Sequence, residues 1–188
     1  MQGYLAALTI VLLLGIVVTR LFLLRRIGTR AFHFGNIDNT DYLIPPFALF
    51  YFYTIFAAAF GLPVVSTQRF FDPDVMAWVG VFLCFAGLAI LLLTLVSFGR
   101  SFRVGIDIDR PDKLVTTGIF AFSRNPIYVG FGLVFLGQFL VFPNWIMLVY
   151  VFAGIWLFHR QVLREEEFLR KHYGEGYVQY CNRVRRYV

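Results

Sequence analysis

Five apolar stretches, separated by short polar segments, constrain this chain more than anything else in it. They run roughly Tyr4–Leu24, Tyr42–Val65, Val75–Phe98, Ile127–Phe142 and Trp145–Leu163. A hydrocarbon core of ~30 Å takes about 20 helical residues to cross, and each stretch reaches or nearly reaches that length. The chain is 59% hydrophobic with 23 Phe, where a soluble domain runs nearer half apolar. The expected fold is therefore all-α. It is a polytopic membrane protein with about five transmembrane helices, followed by a cytoplasmic C-terminal helix. The fourth stretch is short and ends at Pro143-Asn144, so the fourth and fifth read as a tight helical hairpin. The first lacks a basic leading region and a small-residue cleavage site, so it reads as a retained helix rather than a signal peptide.

The basic residues set an orientation. Of 17 Lys and Arg, only Arg69 lies in the second loop, and the fourth loop has none. The others gather in the first loop with its flank, the third loop and the tail: Arg20, Arg25, Arg26 and Arg30; Arg100, Arg103, Arg110, Lys113 and Arg124; Arg160, Arg164, Arg170, Lys171, Arg183, Arg185 and Arg186. Five spans put these groups on one side, and the positive-inside rule makes that side cytoplasmic. The N-terminus is then outside and the C-terminus inside. The net charge of +6 suits contact with anionic headgroups of the bilayer. Nucleic acid is excluded as a partner, because the basic residues hug membrane ends without a recognition-helix or sheet pattern. Cys84 and Cys181 are far apart, and His33, His159 and His172 have no ligand spacing, so no metal site is expected.

Two regions follow: a three-span membrane region over residues 1–98, and a region over 99–188 carrying the third loop, the hairpin and the C-terminal helix. Pro45-Pro46 and Pro63 mark the ends of the second helix. Ala57 and Gly61 form a small-xxx-small step suited to close helix packing, and Gly80 and Gly87 share one face of the third span. Gly130, Gly132 and Gly137 superficially resemble a phosphate-binding pattern. They lie inside an apolar helix with no preceding strand, so they too are assigned to helix packing. The third loop, Gly99 to Asn125, exceeds a minimal connection, and loops of that length are usually functional or disordered. Its mixture of apolar and charged residues does not look disordered.

A polar bracket surrounds the hairpin. Ser123-Arg124-Asn125-Pro126-Ile127-Tyr128 precedes it and Glu165-Glu166-Glu167 follows it. A hairpin returns the chain to the face it left, so an arginine and three carboxylates should meet there. Each group also has a plain reading. Arg124 can be a topology anchor with Asn125-Pro126 starting a helix, and the glutamates can be a solvated surface paired with Arg164, Arg170 and Lys171. Their common depth favours a site for a zwitterionic ligand.

The stretch Lys113-Leu-Val-Thr-Thr-Gly-Ile-Phe-Ala-Phe-Ser-Arg-Asn-Pro-Ile-Tyr-Val-Gly130 resembles the signature of the isoprenylcysteine carboxyl methyltransferases. So does Glu165-Glu-Glu-Phe-Leu-Arg-Lys-His-Tyr-Gly-Glu-Gly-Tyr-Val-Gln-Tyr180. That pattern is LVxxGxY, RHPxY, a hairpin, EE and FGxxYxxY. Phospholipid N-methyltransferases resemble it more loosely through NPxY and EE. The likeness covers about Gly99 to Tyr187, nearly half the chain.

The resemblance implies an integral-membrane enzyme using S-adenosylmethionine. Carried over, the cofactor contacts are Asp112, Lys113, Leu114, Val115, Phe120, Asn125, Pro126, Ile127, Tyr128 and Glu165, with Glu166 beside it. A carboxylate can accept ribose hydroxyls, an arginine fork such as that of Arg124 suits the methionyl carboxylate, and Tyr128 or Phe120 can face the adenine or the sulfonium. Arg124 and Tyr128 are thus the expected catalytic residues. Two positions depart from the pattern. Asn125 stands where the carboxyl methyltransferases carry His, and Gln161 where they carry a substrate-contacting arginine. Arg160 and Arg164 are the nearest cations, although Arg160 points about 100° away from Gln161 on a helix. The expected acceptor is a prenylcysteine carboxylate, with a lipid amine or another small lipophile as the alternative enzyme reading. A silent membrane scaffold is the alternative of another class. A carrier is disfavoured because the spans hold essentially no ionisable group near mid-membrane.

Overall fold

The structure is a computed structural model that describes residues 1–26, 44–63, 69–71, 74–98 and 114–188. These form six α-helices and one 3-10 turn, in agreement with the all-α expectation. The helices are α1 (Gln2–Arg26), α2 (Ile44–Phe60), α3 (Asp74–Phe98), α4 (Pro126–Val141), α5 (Trp145–Tyr173) and α6 (Glu175–Arg183), with the 3-10 turn at Gly118–Ala121 ahead of α4. Most of the long third loop, including Asp112 and Lys113, lies outside the described residues.

Three helices, α1, α3 and α5, are long and apolar enough to cross a membrane. The described parts of α2 and α4 have 17 and 16 residues, or roughly 25 Å at ~1.5 Å per residue. Much of the surface of the long helices faces outward and is apolar, as at Phe82, Val96, Phe152 and Trp156. A helix apolar all round belongs in lipid or in a core. The short α4 is flanked by α1, α3 and α5, so its length matters less to its setting.

The closest helix contact is between α3 and α4, and glycine makes it. A Cβ placed on Gly80 would lie 2.5 Å from the carbonyl oxygen of Gly137, and one on Gly87 would lie 2.6 Å from that of Gly130. The two pairs are seven residues apart in opposite directions, which makes α3 and α4 antiparallel with their backbones touching. The expectation for Gly80, Gly87, Gly130 and Gly137 holds. For two others it is corrected. Gly132 has nothing within 4 Å of where its Cβ would be. Gly61 lies beyond the end of α2 at φ 68°, and Leu62 N–H donates to the Ala57 carbonyl at 3.0 Å. That is a helix C-cap of the Schellman kind, so Gly61 stops a helix instead of packing one.

The α4–α5 hairpin turns as expected at Pro143-Asn144. Asn144 caps α5 by accepting from the Met147 N–H at 3.0 Å. Along the hairpin, Tyr128, Phe131 and Phe135 of α4 range down one side of Phe158 of α5, with ring centroids 5.5–5.6 Å away. The main core joins Ile10 of α1, Tyr51 and Ile55 of α2, Val81 of α3, Val134 of α4 and Met147 of α5. A polar tie crosses it, in which Gln138 Nε2 donates to the Ala6 carbonyl at 2.8 Å and to Thr9 Oγ1 at 2.9 Å.

Candidate functional site

The start of α4 and the far half of α5 supply the site. Asn125 and Pro126 open α4 because proline suits the first turn, where no intrahelical N–H partner is needed. The Asn125 carbonyl takes the N–H groups of Tyr128 and Val129 at 3.2 and 3.3 Å. Its side chain does not cap the helix. Instead Nδ2 reaches Glu166 Oε1 at 3.1 Å and the Arg186 carbonyl at 3.1 Å. At 29 residues, α5 is roughly 43 Å long, so its last turns carry Gln161 and the glutamates beyond its apolar stretch.

Successive residues on a helix are turned by about 100°, and this splits the glutamate run three ways. Glu165 faces α4, where it accepts from the Tyr128 hydroxyl at 2.6 Å and from the Gln161 amide at 2.9 Å. Glu166 is buried and faces the residues before α4. Arg186 Nε donates to its Oε2 at 3.0 Å. Arg186 Nη2 lies 2.9 Å from that oxygen, and Arg124 Nη2 lies 3.7 Å from Oε1. Glu167 is exposed and pairs with Lys171 at 2.6 Å, one turn along, so for this member the plain surface reading is correct. The bond to Glu166 raises Arg186 above its ordinary value.

Arg124 Nη1 bonds the Cys181 thiol, while among the described residues its buried Nε has no hydrogen-bond partner. The backbone N–H of Arg124 donates to the Arg185 carbonyl at 3.0 Å. Below this cluster α6 is pinned by its tyrosines, with Tyr177 and Tyr180 almost wholly buried. The Tyr180 hydroxyl donates to the Phe120 carbonyl at 2.7 Å, and burial pushes that phenol up to about 12, so it stays a donor at any working pH. Gly174 separates α5 from α6 at φ 52°, a left-handed turn in which a side chain would be strained.

The expected site residues are therefore only partly gathered. Arg124, Asn125, Tyr128, Gln161, Glu165 and Glu166 come together. Ile127 packs against Leu13, Leu88 and Leu91, in the direction of α1 and α3. Pro126 is buried and lines a cavity of about 130 Å³ with Ile90, Ile119, Phe122, Tyr187 and others. Phe120 is buried in the fold. Leu114 and Val115 are half-buried irregular backbone leading to the 3-10 turn. Arg160 sits over the ring of Trp156, 5.8 Å from its centroid, and Arg164 is half-buried. Among the described residues no group of His, Cys, Asp and Glu can hold a metal ion.

Sequence reasoning missed the segment after α6. It took Arg185 and Arg186 only as topology anchors, whereas the Arg185 carbonyl bonds Arg124, the Arg186 carbonyl bonds Asn125, and the Arg186 guanidinium holds Glu166. Charge complementarity was the available signal: a carboxylate run at a membrane face needs cations, and this arginine pair lies at the same face.

Residues 75–176 match the family "Phospholipid methyltransferase", more than half of the 188-residue chain. A relative from Oryza sativa subsp. indica, "Probable protein-S-isoprenylcysteine O-methyltransferase", is 29% identical over 138 residues, covering 69% of this chain and 72% of that protein. "Protein-S-isoprenylcysteine O-methyltransferase B" of Arabidopsis thaliana is 33% identical over 93 residues, 48% of this chain and 47% of its own length. The Schizosaccharomyces pombe protein-S-isoprenylcysteine O-methyltransferase is 33% identical over 93 residues, 48% of this chain and 39% of its own length. No solved structure matches the chain. The family match begins at α3, so it takes in the glycine contact with α4 as well as the polar bracket.

Proposed function

Because the chain belongs to the phospholipid methyltransferase family of membrane methyltransferases, we propose that it transfers a methyl group from S-adenosylmethionine to a lipophilic acceptor, most like a prenylcysteine carboxylate. The observation that carries this reading is the convergence of Arg124, Asn125, Tyr128 and Glu165 where α4 begins and α5 leaves its apolar stretch. The donor set fits the cofactor. The Glu165 carboxylate, held by Tyr128 and Gln161, is suited to accept ribose hydroxyls. Arg124 keeps an unused buried N–H, which suits a carboxylate. The Tyr128 ring offers a face to a cation.

The cofactor supplies an activated methyl group on a sulfonium sulfur. The chain's own residues then need to align acceptor, methyl and sulfur and to exclude water. With a carboxylate acceptor, the bound cofactor would supply the methyl group and keep the carbon–sulfur electron pair on sulfur, while Arg124, Tyr128 and Glu165 would hold it in line with the acceptor. No proton moves, so no dedicated base is needed; an amine would have to lose one. Five spans with the N-terminus outside would put this site at the cytoplasmic face, where a soluble cofactor and a bilayer-borne acceptor meet. One observation favours the amine reading instead: position 161 holds an amide bonded to Glu165, not a cation that would hold a carboxylate.

Transfer of labelled methyl from S-adenosylmethionine to a farnesylcysteine analogue, a lipid amine and a lipophilic thiol, in one detergent, tests the reading. Methylation of the farnesylcysteine carboxylate is expected. Methylation of the amine alone would replace the acceptor, and transfer to none of the three would overturn the enzyme reading.

A further inference from the structure

The segment following α6, Val184–Val188, runs as a strap across the site and is bonded on both sides of it. On the α4 side, the Arg185 carbonyl takes the Arg124 N–H at 3.0 Å. The Arg186 carbonyl takes Asn125 Nδ2 at 3.1 Å and Ser123 Oγ at 3.5 Å. On the α5 side, the Arg186 guanidinium holds Glu166, and the Tyr187 hydroxyl lies 2.7 Å from His159 Nδ1. Glu166 is the hub. Its Oε2 receives the Nε–H of Arg186 and lies 2.9 Å from Nη2 of the same residue, and its Oε1 receives Asn125 and borders Arg124. A carboxylate has about four acceptor positions, and at least three are engaged within the protein. Little is left for an outside ligand.

We propose that Arg186 is a positioning residue. Through Glu166 and its own carbonyl it fixes Asn125 and Arg124, so that Glu165 alone of the glutamate run meets the cofactor while Glu166 anchors the strap. The inference rests on the methyltransferase reading and deepens it. It assigns different work to two adjacent residues of the same type, and it makes the strap a part of the site rather than a trailing end. A buried carboxylate that loses a paired cation is left with part of its desolvation uncompensated, so Glu166 without Arg186 would turn from its present position. Asn125 Nδ2 would then lose its charged acceptor and keep only the Arg186 carbonyl.

The test uses the full chain with Arg186→Ala, Arg186→Lys, Glu166→Gln and the double variant Glu166→Gln/Arg186→Ala. The first readout is affinity for S-adenosylmethionine by calorimetry. The second is hydrogen exchange of the Val184–Val188 amides without cofactor. Arg186→Ala should weaken binding roughly tenfold, the usual scale for a lost charged hydrogen-bond partner. Arg186→Lys should restore part of the loss, and the double variant should bind no more weakly than the worse single one. Exchange in the strap should rise in Glu166→Gln. If Arg186→Ala does not fold, Arg186→Lys and Glu166→Gln carry the same comparison. Wild-type binding by Arg186→Ala alongside a defective Glu166→Gln would mean that Glu166 touches the cofactor itself, and would overturn the proposal. Additive losses in the double variant, or unchanged strap exchange in Glu166→Gln, would overturn it too. A wild type that binds no S-adenosylmethionine would defeat the methyltransferase reading instead, and strap exchange would still decide whether Glu166 anchors the segment.

Discussion

Tyr128 shows how little one residue's identity says before its neighbours are known. From sequence it is the aromatic of an Asn-Pro-Ile-Tyr run. In the fold its ring lies 5.5 Å from that of Phe158 and its hydroxyl donates to Glu165 at 2.6 Å. In the proposed function the ring would face the cofactor, and the hydroxyl would aim the carboxylate that holds it. Tyr128→Phe keeps the first and removes the second. A neutral hydrogen bond is worth about 1 kcal/mol net, and one to a charged group about 1.5–3 kcal/mol. The variant should therefore bind S-adenosylmethionine about five- to a hundredfold more weakly in a calorimetric titration, with its melting temperature little changed. Unchanged affinity would mean that Glu165 needs no aiming. That Arg124 meets a carboxylate was legible from the hairpin alone, although only Glu166 of the expected three lies beside it. Which glutamate meets which partner was not, because that depends on the rotation of α5 and on a strap with no pattern of its own.

At the scale of elements, the antiparallel pair α3 and α4 sets the geometry beneath the site. A branched side chain at Gly137 would begin 2.5 Å from the Gly80 carbonyl and 2.6 Å from the Cys84 sulfur, so the helices would have to part. Overpacking of this kind typically costs about 1–3 kcal/mol. Gly137→Val should lower the melting temperature in detergent and reduce methyl transfer. Gly132→Ala, whose Cβ meets nothing within 4 Å, should leave both unchanged; equal damage from the two would contradict the close contact. The helices themselves, the Pro143-Asn144 turn and the seven-residue glycine spacing were readable in advance. An apolar run announces a helix by length, and small residues announce close approach. The exceptions have one physical cause. Gly61 and Gly132 carry the same letter as Gly80 and Gly137, and only a neighbour or a backbone angle separates a packing glycine from a cap or an idle one.

As a whole, the chain is a multi-pass integral membrane protein whose fifth helix outlasts its apolar stretch and carries carboxylates to the starting residues of the fourth. The family membership, the gathered Arg124, Asn125, Tyr128 and Glu165, and the lipid-facing helices support the proposal that a soluble methyl donor meets a lipophilic acceptor here. The acceptor's identity was not legible, since position 161 departs from the arginine of the family pattern and the relatives' own acceptors belong to those proteins. The central claim concerns the donor. Its most direct test is a calorimetric titration of S-adenosylmethionine into the purified wild type and into Glu165→Ala. Removing the carboxylate should weaken binding by roughly ten- to a hundredfold, as expected for loss of a charged hydrogen-bond partner, while the variant remains folded. Saturable binding by the wild type that falls in Glu165→Ala is the predicted result; a folded wild type that binds no S-adenosylmethionine, or a variant that binds it equally well, would contradict the account.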